Sequence, residues 1–349
     1  MVRMDGLREE AKGFPNMAQK RVTVYEVAAA CDVSIATVSR VINGHKHVHP
    51  DTRQRVFDQM KKLGYRPSHA ARALSTGRSR VVSIWIGNLN SHYVMTFLGQ
   101  LEQHLAEADF EMLLRNLWHR SPEEALPPVG IDGLIVLEEV AWLENDWFRQ
   151  EGTRVPVVSL GVHWVDWLDH VGLDLKDGVR EAIEHLIRQG CRRVASVSPG
   201  MRNNPEDSRY ATYLASIEQA GREPEIIETP WIGNRATVEE TMERYLAHRP
   251  CPDGLFCYND DHAIAVCRTL RRHGLRIPED VAVVGCDDLV ETQYLECPIS
   301  TIVLPVPEAC NAAWQLLENR MHDPGLPIQS VLLRPHLEAR ASSVRNARG

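Results

Sequence analysis

Val22-Thr-Val-Tyr-Glu-Val-Ala-Ala-Ala-Cys-Asp-Val-Ser-Ile-Ala-Thr-Val-Ser-Arg-Val-Ile-Asn-Gly44 reads as two short helices joined by a tight turn. Thr23 stands at the start of the first, and Glu26, three residues on, completes a capping box in which each residue satisfies an orphan backbone donor. Val24, Val27 and Ala28 then line one face. Ser34 repeats the capping role for a second helix whose Val38, Val41 and Ile42 recur at helical spacing, and Gly44 can take the positive φ that ends it. Only Cys31-Asp32-Val33 separates the two helices. So short a connection makes them cross steeply and leaves Ile35, Ala36, Ser39 and Arg40 on a face free to enter a major groove. A third helix after the pair weakens the alternative of a plain helical hairpin in a core. His49-Pro50-Asp51 opens it with Pro at its first position, where a missing N–H costs nothing, and Val56, Met60 and Leu63 point inward before Gly64. Three small helices around one mini-core make a helix-turn-helix headpiece.

Val22–Ala28, Val33–Gly44, Gly64-Tyr65-Arg66-Pro67 and Ala70-Ala71-Arg72-Ala73-Leu74 together resemble, over roughly fifty-five residues without gaps, the headpiece and hinge helix of the lactose-repressor (LacI/GalR) family. The resemblance implies that Ile35 and Ala36 face base edges. Arg40 is the side chain best able to make a bidentate contact to guanine O6 and N7. It places Thr23, Tyr25, Ser34, Thr37, Asn43 and His47 at phosphate-contact positions, which fix register without reading sequence. It also makes Leu74 a minor-groove wedge, inserted at a central base step by paired hinge helices of a dimer. Ser68–Leu74 is too short to be a stable helix alone, and folds when docked. One departure is His49, where the family usually has a serine-type cap.

The net charge of −8 hides a division: Lys20–Arg80 carries twelve basic side chains against four acidic ones, and the rest of the chain is correspondingly acidic. A basic small domain on an acidic large one suggests that only the former meets a polyanion. No apolar run is long enough to span a bilayer and the N-terminus has no signal-peptide core, so the expected location is the cytoplasm. Eight cysteines without a Cys-x-x-Cys pair fit neither a zinc site nor a disulfide framework; Cys257 and Cys286, inside apolar runs, read as small core residues. No dinucleotide fingerprint, phosphate loop, zinc-protease helix or nucleophile elbow is present, so the chain is not read as an enzyme, and no cofactor or metal is expected.

From Val81 on, short apolar runs (81–86, 134–137, 155–160, 194–197, 255–258, 281–284) alternate with amphipathic helices (95–108, 179–189, 210–220, 237–247, 262–273, 306–321). That alternation predicts parallel sheets with helices on both faces. Asp132–Val136, Glu184–Ile187, Asn259-Asp260 and Ile277–Gly285 resemble the same family's effector domain. The fold class is therefore α/β: a helix-turn-helix headpiece plus a two-lobed, periplasmic-binding-protein-like domain of doubly wound sheets. The resemblance puts three chain crossings near Leu160–Val162, Asp287–Leu289 and Thr301–Leu304.

Ligands of doubly wound sheets sit beyond the carboxyl ends of the strands, which points to Asn90 and Tyr93 after the first run. The resemblance adds Asp177, Arg209, Asn259 and Asp287 as sugar-contacting positions and Trp231 as a tryptophan stacking near the ligand. Each has a plainer alternative: Asp177 a helix cap, Asp287 a turn residue, Trp231 core. Two departures mark the region. Ser91-His92-Tyr93-Val94 stands where many relatives have Asn-Pro-Phe-Phe, and the segment between Leu114 and Asp132, with Pro122, Pro127 and Pro128, looks shortened near the family's dimer interface.

The expected domains are 1–19, an extension or mis-assigned start with Met17 the true one; 20–66, the headpiece; 67–80, a linker with the hinge helix; and 81–349, the effector-binding and dimerisation domain. The function read is a homodimeric, sequence-specific repressor of a pseudo-palindromic operator in double-stranded DNA, controlled by a small carbohydrate-like effector and without a membrane partner. The alternatives are a non-sugar effector such as a nucleobase or nucleoside, or action as an activator.

Overall fold

The computed structural model describes residues 22–42, 47–65, 78–89, 91–117, 130–138, 155–200, 207–230 and 234–345. Asn43, Leu74, Asn90 and Trp231, the hinge helix and the proline-bearing segment lie outside them. Contacts divide the chain into two units, Met1–Ser79 and Arg80–Gly349.

In the smaller unit α1 spans Val24–Cys31, α2 Ile35–Ile42 and α3 Pro50–Leu63. Glu26 reaches back as expected: its carboxylate accepts from the Thr23 N–H at 2.7 Å and from the Thr23 hydroxyl at 3.0 Å. Asp32 makes the turn in the left-handed region (φ 50°), and the Ser34 hydroxyl accepts from Thr37 N at 3.1 Å to start α2. Val27, Ala28 and Cys31 of α1, Val38 and Val41 of α2, and Val56 and Met60 of α3 close one core. Gly64, at φ 67°, ends α3.

The larger unit holds two six-stranded sheets. The first is built from β1 (Val81–Ile86), β2 (Glu111–Asn116), β3 (Gly133–Leu137), β4 (Val157–Gly161), β5 (Asp169–Leu173) and β11 (Ser330–Leu333), in the order β11-β5-β4-β3-β1-β2. The second contains β6 (Val194–Pro199), β7 (Glu225–Thr229), β8 (Gly254–Cys257), β9 (Ala282–Cys286), β10 (Ser300–Val303) and β12 (His336–Glu338), in the order β12-β10-β9-β8-β6-β7. All pairings are parallel except that of β12 with β10. Six helices accompany them among the described residues: α4 (His92–Glu107), α5 (Lys176–Arg188), α6 (Ser208–Gln219), α7 (Arg235–His248), α8 (Asp260–Arg272) and α9 (Val306–His322). The strands buried on both faces are near-continuous apolar runs, as a covered parallel sheet requires. Among the described residues no helix is long and apolar enough to cross a membrane.

The chain crosses between lobes three times, but two crossings fall elsewhere than expected. β4 leads into β5 of the same sheet, and β9 into β10, so Leu160–Val162 and Asp287–Leu289 are not crossings. The chain passes over after β5 near Asp174-Leu175, after β10 near Leu304-Pro305, and between β11 and β12 near Arg334-Pro335. The displacement has a cause: β5 opens on the polar pair Asp169-His170 and does not read as a strand. Asp169 is nevertheless buried there, accepting from Arg320 Nε at 2.9 Å, Arg320 Nη2 at 2.8 Å and Gln329 N at 2.9 Å.

Candidate functional site

On the smaller unit the mini-core turns α2 so that Val38 and Val41 are buried while Ile35, 40% exposed, Ala36 and Arg40 face outward. Ser34 and Thr37 pair through their hydroxyls at 2.9 Å beside this face, and Thr23, Tyr25 and His47 are exposed around it. Apolar, guanidinium and hydroxyl groups on one solvent face of a short helix are the chemistry that base edges and phosphates call for.

In each lobe of the larger unit the strand order reverses at one point, between β1 and β3 in the first and between β6 and β8 in the second. Crevices for ligands open at such switch points, beyond the carboxyl ends. Tyr93, in the first turn of α4 after β1, donates its hydroxyl to Glu138 Oε1 at 2.5 Å. Glu138 follows β3 at φ 63° and also accepts from Val162 N at 3.2 Å. Gly161 gives it room: a Cβ there would lie 2.8 Å from the Glu138 carboxyl carbon.

From the second lobe, Asp207 caps α6, accepting from the backbone N–H of Arg209 at 2.9 Å and of Tyr210 at 3.4 Å. It also takes Arg209 Nε at 3.3 Å and Nη2 at 3.1 Å. The Arg209 guanidinium lies 3.6 Å from the Tyr258 ring centroid and donates to the Tyr258 hydroxyl. Asp287 follows β9 at φ 115°. Burial pushes its carboxyl well above the usual range, and the neighbouring Asp260 adds to this. Burial likewise raises the Tyr93 hydroxyl, reinforced by Glu138 and Asp287 and opposed by Arg209, so both lobes contribute to one electrostatic group.

Asn259 caps α8: its side-chain oxygen accepts from His262 N at 2.9 Å and meets His262 Nδ1 at 2.7 Å, while Thr229 holds the other ring nitrogen at 3.1 Å. Asp260 is fully buried, with Thr301 and Leu289 N as donors, and a Cβ on Gly285 would sit 2.1 Å from its oxygen. Across the cleft, His92 of α4 meets Asp261 of α8 at 3.0 Å, and Arg235 pairs with the same carboxylate at 2.7 Å. Asp177 lies in the first turn of α5, engaged by Arg180 and, at 3.7 Å, by Arg334. Thus Tyr93, Arg209, Asn259 and Asp287 line the ends of neighbouring strands, whereas Asp177 has other partners. Glu138, Tyr258 and Asp207 are site residues that the sequence alone does not single out. The first two directly follow β3 and β8, so the carboxyl-end rule applied to every apolar run would have found them.

No group of His, Cys, Asp and Glu able to hold a metal ion occurs among the described residues. Cys257 and Cys286 are buried, and burial pushes both thiols well up.

Burial pushes His170 of β5 and His262 of α8 down to about 4, so both are neutral at pH 7. The unfolded chain protonates them near 6.5 and therefore binds more protons between the two values. The two histidines thus weaken the larger unit as pH falls from about 6.5 to 4, while the raised carboxyls of Asp260, Asp287 and Glu138, which take up protons more readily in the folded chain, strengthen it over the same window. His170→Gln should therefore shift the pH profile of melting toward greater relative stability at about pH 4.5 than at pH 7; a difference between wild type and variant that does not change with pH would contradict the neutral assignment.

Comparison with known proteins yields two family models. "Bacterial regulatory proteins, lacI family" matches residues 23–68, and a periplasmic binding protein-like domain matches residues 183–343. The chain is similar to catabolite control protein A of Staphylococcus epidermidis, 26% identical over 338 residues, covering 92% of this chain and 99% of that protein. A solved structure of the transcriptional regulator CelR in complex with cellobiose is 27% identical at a TM-score of 0.63, covering 92% of this chain and 100% of that one. The lac repressor dimer bound to operator and an anti-inducer shares the fold at a TM-score of 0.79 and 22% identity, over 93% of this chain and 100% of that one.

Proposed function

This chain belongs to the LacI family of bacterial regulatory proteins, and we propose that it works as a homodimeric repressor of a pseudo-palindromic operator, switched by a small carbohydrate-like effector. The observation that carries the DNA half is the outward face of α2, where Ile35, Ala36 and Arg40 stand clear of the core that holds the helix. Arg40 supplies the polar base reading and Ile35 and Ala36 the apolar contacts. Thr23, Tyr25, Ser34, Thr37, Asn43 and His47 hold phosphates, and Leu74 of the linker is the minor-groove wedge. Acting on DNA, the protein works in the cytoplasm.

Support for a sugar-like effector comes from the cleft: Arg209, Asp287, Tyr93, Asn259 and Glu138 offer donors and acceptors beside the Tyr258 ring, a set suited to hydroxyls. Asn90 and Trp231 belong to the same reading, and cellobiose occupies the similar CelR structure. Asp177, already engaged by two arginines, is left out. An effector favouring one closure of the lobes, with His92 and Asp261 in contact, changes DNA affinity only through its differential affinity for the two forms.

Arg40→Ala is the test. With the full-length protein and a duplex chosen by in vitro selection, it should cost roughly 1–3 kcal/mol and relax specificity at one base position. Equal loss on selected and random duplexes would remove the base-reading role.

A further inference from the structure

We infer that the effector of this cleft carries a protonated amino group among its hydroxyls, an inference resting on the reading of the cleft as the effector site. Two carboxylates from opposite lobes approach it, Glu138 and Asp287, both partly exposed. The partners of Glu138, Tyr93 and Val162, both bind Oε1, and among the described residues nothing hydrogen-bonds Oε2. At Asp287 the neighbouring Cys286 thiol and the Arg209 guanidinium favour the carboxylate, and burial and Asp260 outweigh them. The guanidinium beside them is that of Arg209, and it is committed: Nε and Nη2 go to Asp207, and Nη2 also reaches Tyr258. Asp207 pairs with Arg209 and balances its charge, and the same guanidinium acts electrostatically on Glu138 and on Asp287.

The other titratable groups around the two carboxyls do not close this gap. They are Tyr93 of α4, His163 after β4, Tyr258 after β8, Asp260 and Asp261 of α8, and Cys286 of β9; of these described residues, His163 alone can add positive charge. Burial accordingly raises Glu138 as well as Asp287, although Tyr93, His163 and Arg209 all pull Glu138 down. Both residues also sit at positive φ, 63° and 115°, a backbone cost that persists where the surroundings hold a group in place for use.

Chemistry then selects the ligand. An anionic group would face two further carboxylates. A neutral hydroxyl can donate to them but does not offset the charge that either carboxyl takes on when it ionises. An ammonium brings three donors and a positive charge that draws both carboxyls into their ionised form. The remaining hydroxyls can use Arg209 Nη1, which has no partner among the described residues.

The experiment uses the full-length protein at neutral pH and measures thermal shift and calorimetric affinity. Its probes are glucosamine, galactosamine and mannosamine, each beside its neutral parent hexose and its N-acetyl form, with glucuronate and glucose 6-phosphate as anions. One amino sugar should bind at least about tenfold tighter than both its parent and its N-acetyl form, the scale of one charge-assisted contact. Glu138→Gln should remove most of that preference, since the amide still accepts from Tyr93 and Val162. Without ligand, Glu138→Gln should raise the melting temperature more at pH 8 than at pH 5, because it deletes a charge whose cost exists only when the carboxyl is ionised. Neutral or anionic probes binding as well as the amines, or no amine binding, overturns the inference. If a probe's binding is lost in Arg209→Ala, the effector site survives that failure; binding that persists in Arg209→Ala overturns the effector site itself.

Discussion

Arg209→Ala should destabilise the larger unit by about 3–5 kcal/mol and abolish its response to effector. Arg209 and Asp207 are 12% and 2% exposed, so the substitution strands a carboxylate where water cannot solvate it. Burial alone pushes the Asp207 carboxyl up; the guanidinium and the N–H groups of Arg209 and Tyr210 outweigh it and hold the carboxyl below its ordinary range. Because that value is depressed in the folded state, its contribution is present at neutral pH and is lost as pH falls below the ordinary aspartate range. The difference between wild type and variant should therefore be widest near pH 7 and narrow on acidification. Calorimetry should record a midpoint lower by roughly 10 °C. Arg209→Lys restores a charge but not the fork that meets both carboxylate oxygens, and should recover only part of the loss. A loss below about 1 kcal/mol for the alanine variant would contradict the pairing.

Arg320→Ala should destabilise on the same scale, about 3–5 kcal/mol, yet leave effector affinity intact. Asp169 is 1% exposed and Arg320 15%, and Arg320 also donates to the carbonyls of Pro324, Leu326 and Pro327. Asp169 opens β5, at the amino end of a strand in a parallel sheet, whereas the cleft lies beyond the carboxyl ends. Five residues at about 3.3 Å each separate the two ends. Comparing the two variants thus separates a lost pair from a lost ligand contact. Chemical denaturation reads the first and effector titration the second; weakened effector binding in Arg320→Ala would show that the two ends are coupled.

The headpiece is legible in the sequence because its signals are local: caps at Thr23 and Ser34, Pro50 opening α3, and valines at helical spacing. Strands β1, β3, β4, β6, β8 and β9 are legible as apolar runs because both their faces are covered. The edge strands β2, β7, β11 and β12 interleave polar residues, as in Glu225-Ile-Ile-Glu-Thr229, and only their partners make them strands. β10, Ser-Thr-Ile-Val, is absent from the apolar runs because its serine and threonine, held here by Ser342, Ser343 and Asp260, look like loop residues in isolation. At the cleft, Arg209, Asp287 and Tyr93 are expected from the sequence, whereas Asp207 is not: its role depends on the side chain of Arg209 folding back two residues, which spacing does not announce. His92–Asp261 joins residues 169 apart and is invisible to any local pattern.

The most direct test of the account is the affinity of the full-length protein for a duplex selected from a random pool against a scrambled duplex of the same length, across salt concentrations. A sequence-reading α2 predicts binding at least about a thousandfold tighter to the selected duplex at physiological salt, with affinity for both falling steeply as salt rises. Equal affinity for the two duplexes at every salt concentration would contradict it.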